Sequence, residues 1–161
     1  MTVKFKLEFV ARKPGSKWHI RDFAPVLDRT VSILRKNTIL KEKLTGGVIQ
    51  LVLTDDKEIR LLNAEYRGKN KPTDVISLSY FGEPAFPGKN DLVGEIFISV
   101  DTARQQAKEH RKSLIHELRF LFAHGLLHVF GYDHEKPEDL EEMFSLQDKI
   151  LERHLKKSRS D

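Results

Sequence analysis

Residues 124–134 read His-Gly-Leu-Leu-His-Val-Phe-Gly-Tyr-Asp-His, and this is the most informative stretch of the chain. On a helix, His124 and His128 would share one face, about 6 Å apart along the axis. Glycine commonly ends a helix in a left-handed conformation, so a reversal at Gly131 would bring His134 back towards them. Three neutral imidazoles leave the fourth position of a tetrahedral zinc ion open for water. The spacing therefore predicts a catalytic zinc site with these three ligands.

The alternative is that these histidines are ordinary surface or core residues. Three of the seven histidines fall inside this one stretch, and the largely apolar residues 114–122 just before it should bury the helix. Buried polar groups without partners are costly, which favours the metal site. Asp133 is interpreted either as a turn residue or as a group that orients a ligand imidazole. The remaining histidines lack such partners and are expected on the surface or in packing positions: His19, His110, His116 and His154.

The same spacing invites comparison with zinc metalloproteases of the H-E-x-x-H-x-x-G-x-x-H type. The offsets of the three histidines and the glycine agree, but Gly125 stands where those proteases have a glutamate. That glutamate is their general base. We therefore expect a similar arrangement of metal ligands, but not peptide hydrolysis with a glutamate as general base.

A second informative segment, residues 62–74, reads Leu-Asn-Ala-Glu-Tyr-Arg-Gly-Lys-Asn-Lys-Pro-Thr-Asp. It places Arg67, Lys69 and Lys71 around a glycine and a proline, on a loop between a helix and a strand. Such a loop can direct cationic side chains into a cleft, and the planar guanidinium group of an arginine can donate two hydrogen bonds to a phosphate group. The alternative is a solvated charge cluster without a ligand.

The composition sets limits on the class of protein. The 161 residues, 39% of them hydrophobic, suffice for one domain over residues 1–161. A net charge of +4 favours anionic partners or reflects only a solvated surface. The absence of cysteine excludes disulfides and cysteine-ligated zinc. The N-terminal residues have no apolar core of signal-peptide length and nothing resembles a membrane span, so we expect a cytoplasmic protein.

The hydrophobic pattern predicts an α+β fold, a small mixed sheet packed with about five helices. Alternating or continuous apolar runs predict four strands, at residues 3–10, 48–54, 74–80 and 94–100. Residues 82–92 are expected to form an exposed loop. Helical spacing covers residues 20–40, 55–66 and 101 onwards, with breaks near 111–112, 131 and 137.

Four segments together resemble the YbeY family of bacterial ribosomal-RNA maturation factors and endoribonucleases. They are residues 62–67, 71–77, 94–99 and 124–134, which follow the family's order and approximate spacing. They span about half of the chain. One departure lies after Thr-Asp-Val, where the family usually has Leu-Ser-Phe-Pro and residues 76–81 read Ile-Ser-Leu-Ser-Tyr-Phe. The apolar character is kept and the proline is lost, so the resemblance does not define the shape of the loop that follows, whereas the predicted metal site is unaffected.

The resemblance implies a zincin-like domain with one zinc ion on His124, His128 and His134. It also implies metal-dependent cleavage of single-stranded RNA, processing of the end of small-subunit ribosomal RNA, and ribosome quality control. It marks Arg67 as the functional arginine, and Lys69 and Lys71 are candidate RNA phosphate contacts.

Our hypothesis for the chemistry is that zinc lowers the pKa of its bound water from about 15.7 towards 7. Arg67 would stabilise charge on the phosphate. The attacking group, water or the RNA 2′-hydroxyl, is left open. Two other readings are a ribosome-assembly RNA-binding protein with a mainly structural zinc, and a metallohydrolase of other phosphoesters.

Overall fold

The structure is a computed structural model that describes residues 4–12, 17–82, 91–133 and 135–159, with side chains up to residue 152. Its strands are β1 (Phe5–Ala11), β2 (Gly47–Thr54), β3 (Val75–Ser79) and β4 (Leu92–Ser99). Its helices are α1 (Ala24–Leu34), α2 (Thr38–Lys41), α3 (Asp56–Arg67), α4 (Val100–Glu109), α5 (Leu114–Val129) and α6 (Pro137–Arg159), with a 3-10 turn at Ile20–Asp22. None of the helices in the described part is long and apolar enough to cross a membrane.

The four strands form one mixed sheet in the order β1-β2-β4-β3. The β1–β2 and β2–β4 pairs are parallel, whereas β3 runs antiparallel to β4 at the edge. In that last pair Val75 lies opposite Ile98, and Ser79 lies opposite Gly94. The mixed four-stranded sheet predicted from the sequence is confirmed.

The two faces of the sheet carry different helices, because successive strand residues point to opposite sides. On one face, Leu51 and Ile96 join a large core that includes buried residues of α1, α5 and α6. On the other face, Val52 and Phe97 form a smaller cluster with Ile59 of α3. The candidate metal-binding helix, α5, and the arginine-bearing helix, α3, are therefore on opposite sides of the sheet.

Two glycines let α5 approach the sheet closely. A Cβ added to Gly94 of β4 would lie 2.6 Å from Val129 Cγ1. A Cβ added to Gly125 of α5 would lie 2.9 Å from Ile96 Cγ2 and 3.0 Å from Ser77 Oγ. A larger residue at either position would push helix and sheet apart, so these glycines set the distance between α5 and the sheet.

The structure corrects the single helix expected over residues 20–40. The predicted apolar face is buried as expected: Phe23, Val26, Leu27, Thr30, Val31 and Leu34. The helix nevertheless ends at Leu34, and Asn37 starts α2 by accepting hydrogen bonds from the backbone nitrogens of Ile39 (2.9 Å) and Leu40 (3.1 Å). An asparagine side chain favours such an N-cap over continuation of a helix. The count of α-helices in the described part is accordingly six rather than about five.

Strand β4 also begins two residues earlier than expected. It starts at Leu92, inside the segment that the sequence assigned to a loop. The middle of that expected loop, residues 83–90, lies outside the described residues.

Candidate metal centre and the basic loop

Helix α5 carries the two described members of the predicted ligand set. Ser113 caps its start, since its hydroxyl accepts a hydrogen bond from the backbone nitrogen of His116 at 3.3 Å. The helix buries Leu118, Leu121 and Phe122 and their neighbours in the large core, as the apolar pattern predicted. His124 and His128 lie one turn apart on the same helix and are half-buried.

The two imidazoles face each other. His124 Nε2 lies 3.0 Å from His128 Nε2, and the ring centroids are 4.6 Å apart with an interplanar angle of 76°. Two nitrogen lone pairs repel at this distance, so a proton or a cation must lie between them. Two imidazoles bound to one tetrahedral zinc ion place their nitrogens about 3.3 Å apart. The pair therefore fits a zinc ion after an adjustment of a few tenths of an ångström.

The chain reverses immediately after this pair. Gly131 adopts a φ of 100°, its nitrogen donates to the His128 carbonyl oxygen at 3.1 Å, and Tyr132 N donates to the Leu127 carbonyl oxygen at 2.9 Å. These bonds form the glycine-dependent cap that ends many helices. His134 lies outside the described residues, so its role as the third ligand stays a prediction. Within the described part no group of three or more His, Asp or Glu residues could hold a metal ion.

A residue that the sequence analysis missed contacts His124, the first predicted ligand. Gln147 of α6 is 1% exposed, and its Oε1 lies 3.4 Å from His124 Nδ1. The sequence could have marked Gln147 as the one polar residue on a buried helix face with Met143 and Ile150, but it gives no sign of the contact with His124. Asp133, which the sequence analysis considered for orienting an imidazole, is exposed on the turn, and that role stays a prediction.

The basic loop is ordered by the helix that precedes it. Gly68 caps α3 with a φ of 68°. Asn63 Nδ2 donates to the Lys71 carbonyl oxygen at 2.8 Å, and Arg60 Nε donates to Asn70 Oδ1 at 2.8 Å. The loop therefore runs back along α3. The three predicted phosphate-contacting cations are all exposed: Arg67, Lys69 and Lys71.

Arg67 is the last residue of a helix that packs on the sheet face opposite α5, the helix that carries the two histidines. Helix α3 starts beside the end of β4, where Asp56 Oδ1 accepts from Ser99 Oγ at 2.6 Å. The helix has 12 residues and is about 18 Å long, and it runs from there towards the opposite end of β4. Edge strand β3 ends there at Ser79, whose hydroxyl contacts the last residue of α5. The structure thus brings His124 and His128 together, and it places α3, the helix that ends at Arg67, on the opposite face of the sheet.

The other histidines occupy the surface or packing positions expected of them, as far as they are described. His19 is exposed, and His116 is half-buried, with its pKa lowered by burial and by the nearby cations Lys112 and Arg119. His110 is exposed, and its Nδ1 lies 3.5 Å from Glu117 Oε2. The side chain of His154 lies outside the described residues.

Glu117 is a buried carboxyl group two turns before His124 on α5. It is 2% exposed, and its Oε1 has no hydrogen-bond partner among the described residues. Burial raises the pKa of Glu117, and the neighbouring Asp74 carboxylate raises it further, whereas the hydrogen bond and charge of His110 lower it. Burial also raises the pKa of Tyr132, next to Gly131.

The fold and the paired histidines define a small α/β protein with a candidate metal centre on a central helix. The sequence profile of the family described as Endoribonuclease YbeY matches residues 13–155. This chain belongs to that family.

The curated relatives agree with this assignment. The Endoribonuclease YbeY of Bacillus licheniformis is 44% identical over 115 residues, which cover 68% of this chain and 73% of the relative. That of Nautilia profundicola is 42% identical over 132 residues, covering 82% of this chain and 89% of the relative. Among solved structures, the solution structure of TM1509 from Thermotoga maritima matches with a TM-score of 0.55 at 23% identity. It covers 97% of this chain and 96% of the other, and so supports the fold.

Proposed function

We propose that this chain is a cytoplasmic, zinc-dependent endoribonuclease that cleaves single-stranded RNA. We further propose that it acts on the small ribosomal subunit, in maturation of the ribosomal-RNA end and in ribosome quality control. Its relatives carry the name Endoribonuclease YbeY, which supports RNA as the substrate. In this proposal residues 1–161 form a single zincin-like domain.

The observation that carries the proposal is the 3.0 Å approach of His124 Nε2 to His128 Nε2. The chain has no cysteine, so imidazole nitrogens are the transition-metal ligands that it offers at this place. His124, His128 and His134 would hold the ion. When bound, zinc supplies a Lewis acid that polarises a phosphoryl oxygen and lowers the pKa of a coordinated water.

Three basic residues would contribute to RNA binding and cleavage. The exposed Arg67 would contact a phosphate and stabilise its charge during cleavage. Lys69 and Lys71 would hold neighbouring phosphates of the same strand. An RNA strand that crosses the end of β3 near Ser79 would meet the histidine pair on one side and Arg67 on the other.

The packing around Gly125 leaves no room for the glutamate that serves as general base in metalloproteases. A side chain at this position would point at Ile96 and Ser77, where even a Cβ would lie 2.9 Å from the nearest atom. The position that holds the glutamate in metalloproteases is therefore closed by the packing of α5 on the sheet. This supports phosphodiester rather than peptide cleavage.

The test is to incubate zinc-loaded and chelated protein with single-stranded RNA, duplex RNA and a peptide library. We expect the zinc-loaded protein to cleave single-stranded RNA alone. Zinc analysis should give about one ion per chain, and His128→Ala should lose most of it. Full zinc retention in His128→Ala would remove this residue from the site.

Arg67→Ala should keep zinc and lose RNA cleavage. Arg104→Ala, which removes an exposed arginine from α4, is the matched control and should cleave normally. Unchanged cleavage by Arg67→Ala would exclude this residue from the mechanism. RNA binding by chelated protein, with no cleavage under any condition, would instead support an assembly factor with a structural zinc. A histidine-substituted preparation controls for contaminating nucleases.

A further inference from the structure

We propose that Gln147 is a positioning residue that fixes the tautomer of His124 and so makes its Nε2 available to a metal ion. The proposal rests on the proposed metal centre. It assigns to α6 a specific part in that centre, in addition to its packing in the core.

Gln147 occupies a position where an apolar residue would be expected. It is 1% exposed, and its helix neighbours Met143 and Ile150 are both 0% exposed. A buried amide is unfavourable unless its groups are hydrogen-bonded. Its Oε1 lies 3.4 Å from His124 Nδ1, whereas its Nε2 has no hydrogen-bond partner in the part of the chain that the structure describes. The contact with His124 is therefore the interaction that accounts for a glutamine at this place.

The direction of this hydrogen bond decides what the other ring nitrogen can do. A neutral imidazole carries one N–H, and the second nitrogen has a lone pair. An amide oxygen can only accept, so the arrangement requires the hydrogen on His124 Nδ1. The lone pair then lies on Nε2, which is the atom that faces His128 at 3.0 Å. The reversed amide would place the hydrogen on Nε2 and block metal binding.

The hydrogen bond also restrains the orientation of the imidazole ring. His124 belongs to α5 and Gln147 to α6, two helices that pack together in the large core. Groups that hydrogen-bond to metal-binding histidines from outside typically raise metal affinity 10- to 100-fold. We therefore expect the α5–α6 contact to set the affinity of the centre for zinc.

The test compares Gln147→Met, which keeps the size but removes the acceptor, with Gln147→Glu, which keeps an acceptor oxygen. The first measurement is the ¹⁵N spectrum of the imidazole nitrogens in metal-free protein, at a pH where His124 is neutral. The signals are assigned by their loss in His124→Ala. Wild type should show the hydrogen on Nδ1, and Gln147→Met should shift the population towards Nε2–H.

The second measurement is the zinc dissociation constant, determined by competition with a chromophoric chelator. Gln147→Met should bind zinc about 10- to 100-fold more weakly, and Gln147→Glu should bind at least as tightly as wild type. Met143→Ala removes packing one turn away on the same helix. It should lower thermal stability without changing the His124 tautomer, which separates positioning from simple packing.

A wild-type spectrum with the hydrogen on His124 Nε2 would overturn the proposal. So would a Gln147→Met variant with the wild-type tautomer and zinc affinity. If Gln147→Met does not fold, the wild-type spectrum and the zinc affinity of Gln147→Glu decide the question. The spectrum is recorded without metal or RNA, so failure of the protein to bind zinc or cleave RNA would refute the proposed function separately.

Discussion

The hydroxyl of Ser79 donates a hydrogen bond to the backbone carbonyl oxygen of Val129, with an oxygen–oxygen distance of 2.6 Å. Ser79 is the last residue of the edge strand, and Val129 is the last residue of the helix that carries His124 and His128. Carbonyls in the last turn of a helix lack partners within that helix, so the serine satisfies one of them. The Ser79 hydroxyl therefore joins strand and helix beside the candidate metal centre.

Removal of this hydroxyl should loosen the junction. We expect Ser79→Ala to lower the free energy of unfolding by about 1–2 kcal/mol, because a half-buried carbonyl loses its partner. Urea denaturation followed by circular dichroism measures the change. The control is Ser32→Ala, which alters an exposed serine of α1 and should change stability by less than about 0.5 kcal/mol. Equal stability of the two variants would show that the Ser79 bond contributes nothing measurable.

Gly125→Ala tests whether the close approach of α5 to the sheet matters. Helix propensity alone favours alanine by about 1 kcal/mol. The new Cβ would, however, lie 2.9 Å from Ile96 Cγ2 and 3.0 Å from Ser77 Oγ, and overpacking of this kind costs about 1–3 kcal/mol. We expect a net loss of thermal stability together with weaker zinc binding, because the helix that carries both histidines must shift.

The double variant Gly125→Ala/Ser77→Ala provides the control for that interpretation. It removes the Ser77 hydroxyl oxygen that the new methyl group would meet, so part of the lost stability should return. A Gly125→Ala variant more stable than wild type, as propensity alone predicts, would contradict the packing argument.

The local features of α5, the candidate metal-binding helix, could be predicted from the sequence. Breaks on either side of it, and the shared face of His124 and His128, follow from residues within a few positions of one another. A helix has a fixed period, so spacing alone places side chains on its faces. The strands were predicted for the same reason, since their apolar runs are short and bounded by polar or glycine residues.

The contacts between distant segments could not be predicted from the sequence. The closure of the Gly125 position depends on Ser77 and Ile96, which reach it only through the pairing of β3 with β4. The Gln147 contact depends on how α6 packs on α5, and no local pattern specifies that register. The position of Arg67 across the sheet from the histidines depends on the course of α3 over the opposite face. Such relations are set by tertiary packing, which hydrophobic periodicity does not encode.

Glu117→Gln should remove a pH dependence of stability. Burial raises the pKa of Glu117 above its ordinary value of 4.5, so the folded protein holds this proton more tightly than the unfolded chain does. The stability that results is fully present below the ordinary value and is lost as pH rises through the raised value.

The measurement is the free energy of unfolding of both proteins as a function of pH. The advantage of wild type over Glu117→Gln should be greatest below about pH 4.5 and should shrink as the pH increases. Glu109→Gln, an exposed glutamate on α4, is the control and should show no such trend. A wild-type advantage that grows with pH would mean that His110 stabilises the Glu117 carboxylate more than burial disfavours it.

Asp56→Ala should show whether the start of α3 holds Arg67 in place. Asp56 Oδ1 accepts hydrogen bonds from Ser99 Oγ and Thr102 Oγ1, both at 2.6 Å, and thereby joins α3 to the end of β4 and the start of α4. Hydrogen bonds to a charged group contribute about 1.5–3 kcal/mol each, so the loss of both should lower the unfolding free energy by about 3–6 kcal/mol. Lys57→Ala changes the exposed neighbour and should cost less than about 0.5 kcal/mol. The zinc content of Asp56→Ala should be unchanged, because α3 lies on the sheet face opposite α5. RNA cleavage should fall, because Arg67 loses its fixed position. A fall in zinc content equal to the fall in cleavage would instead show that the two faces of the sheet are coupled through β4.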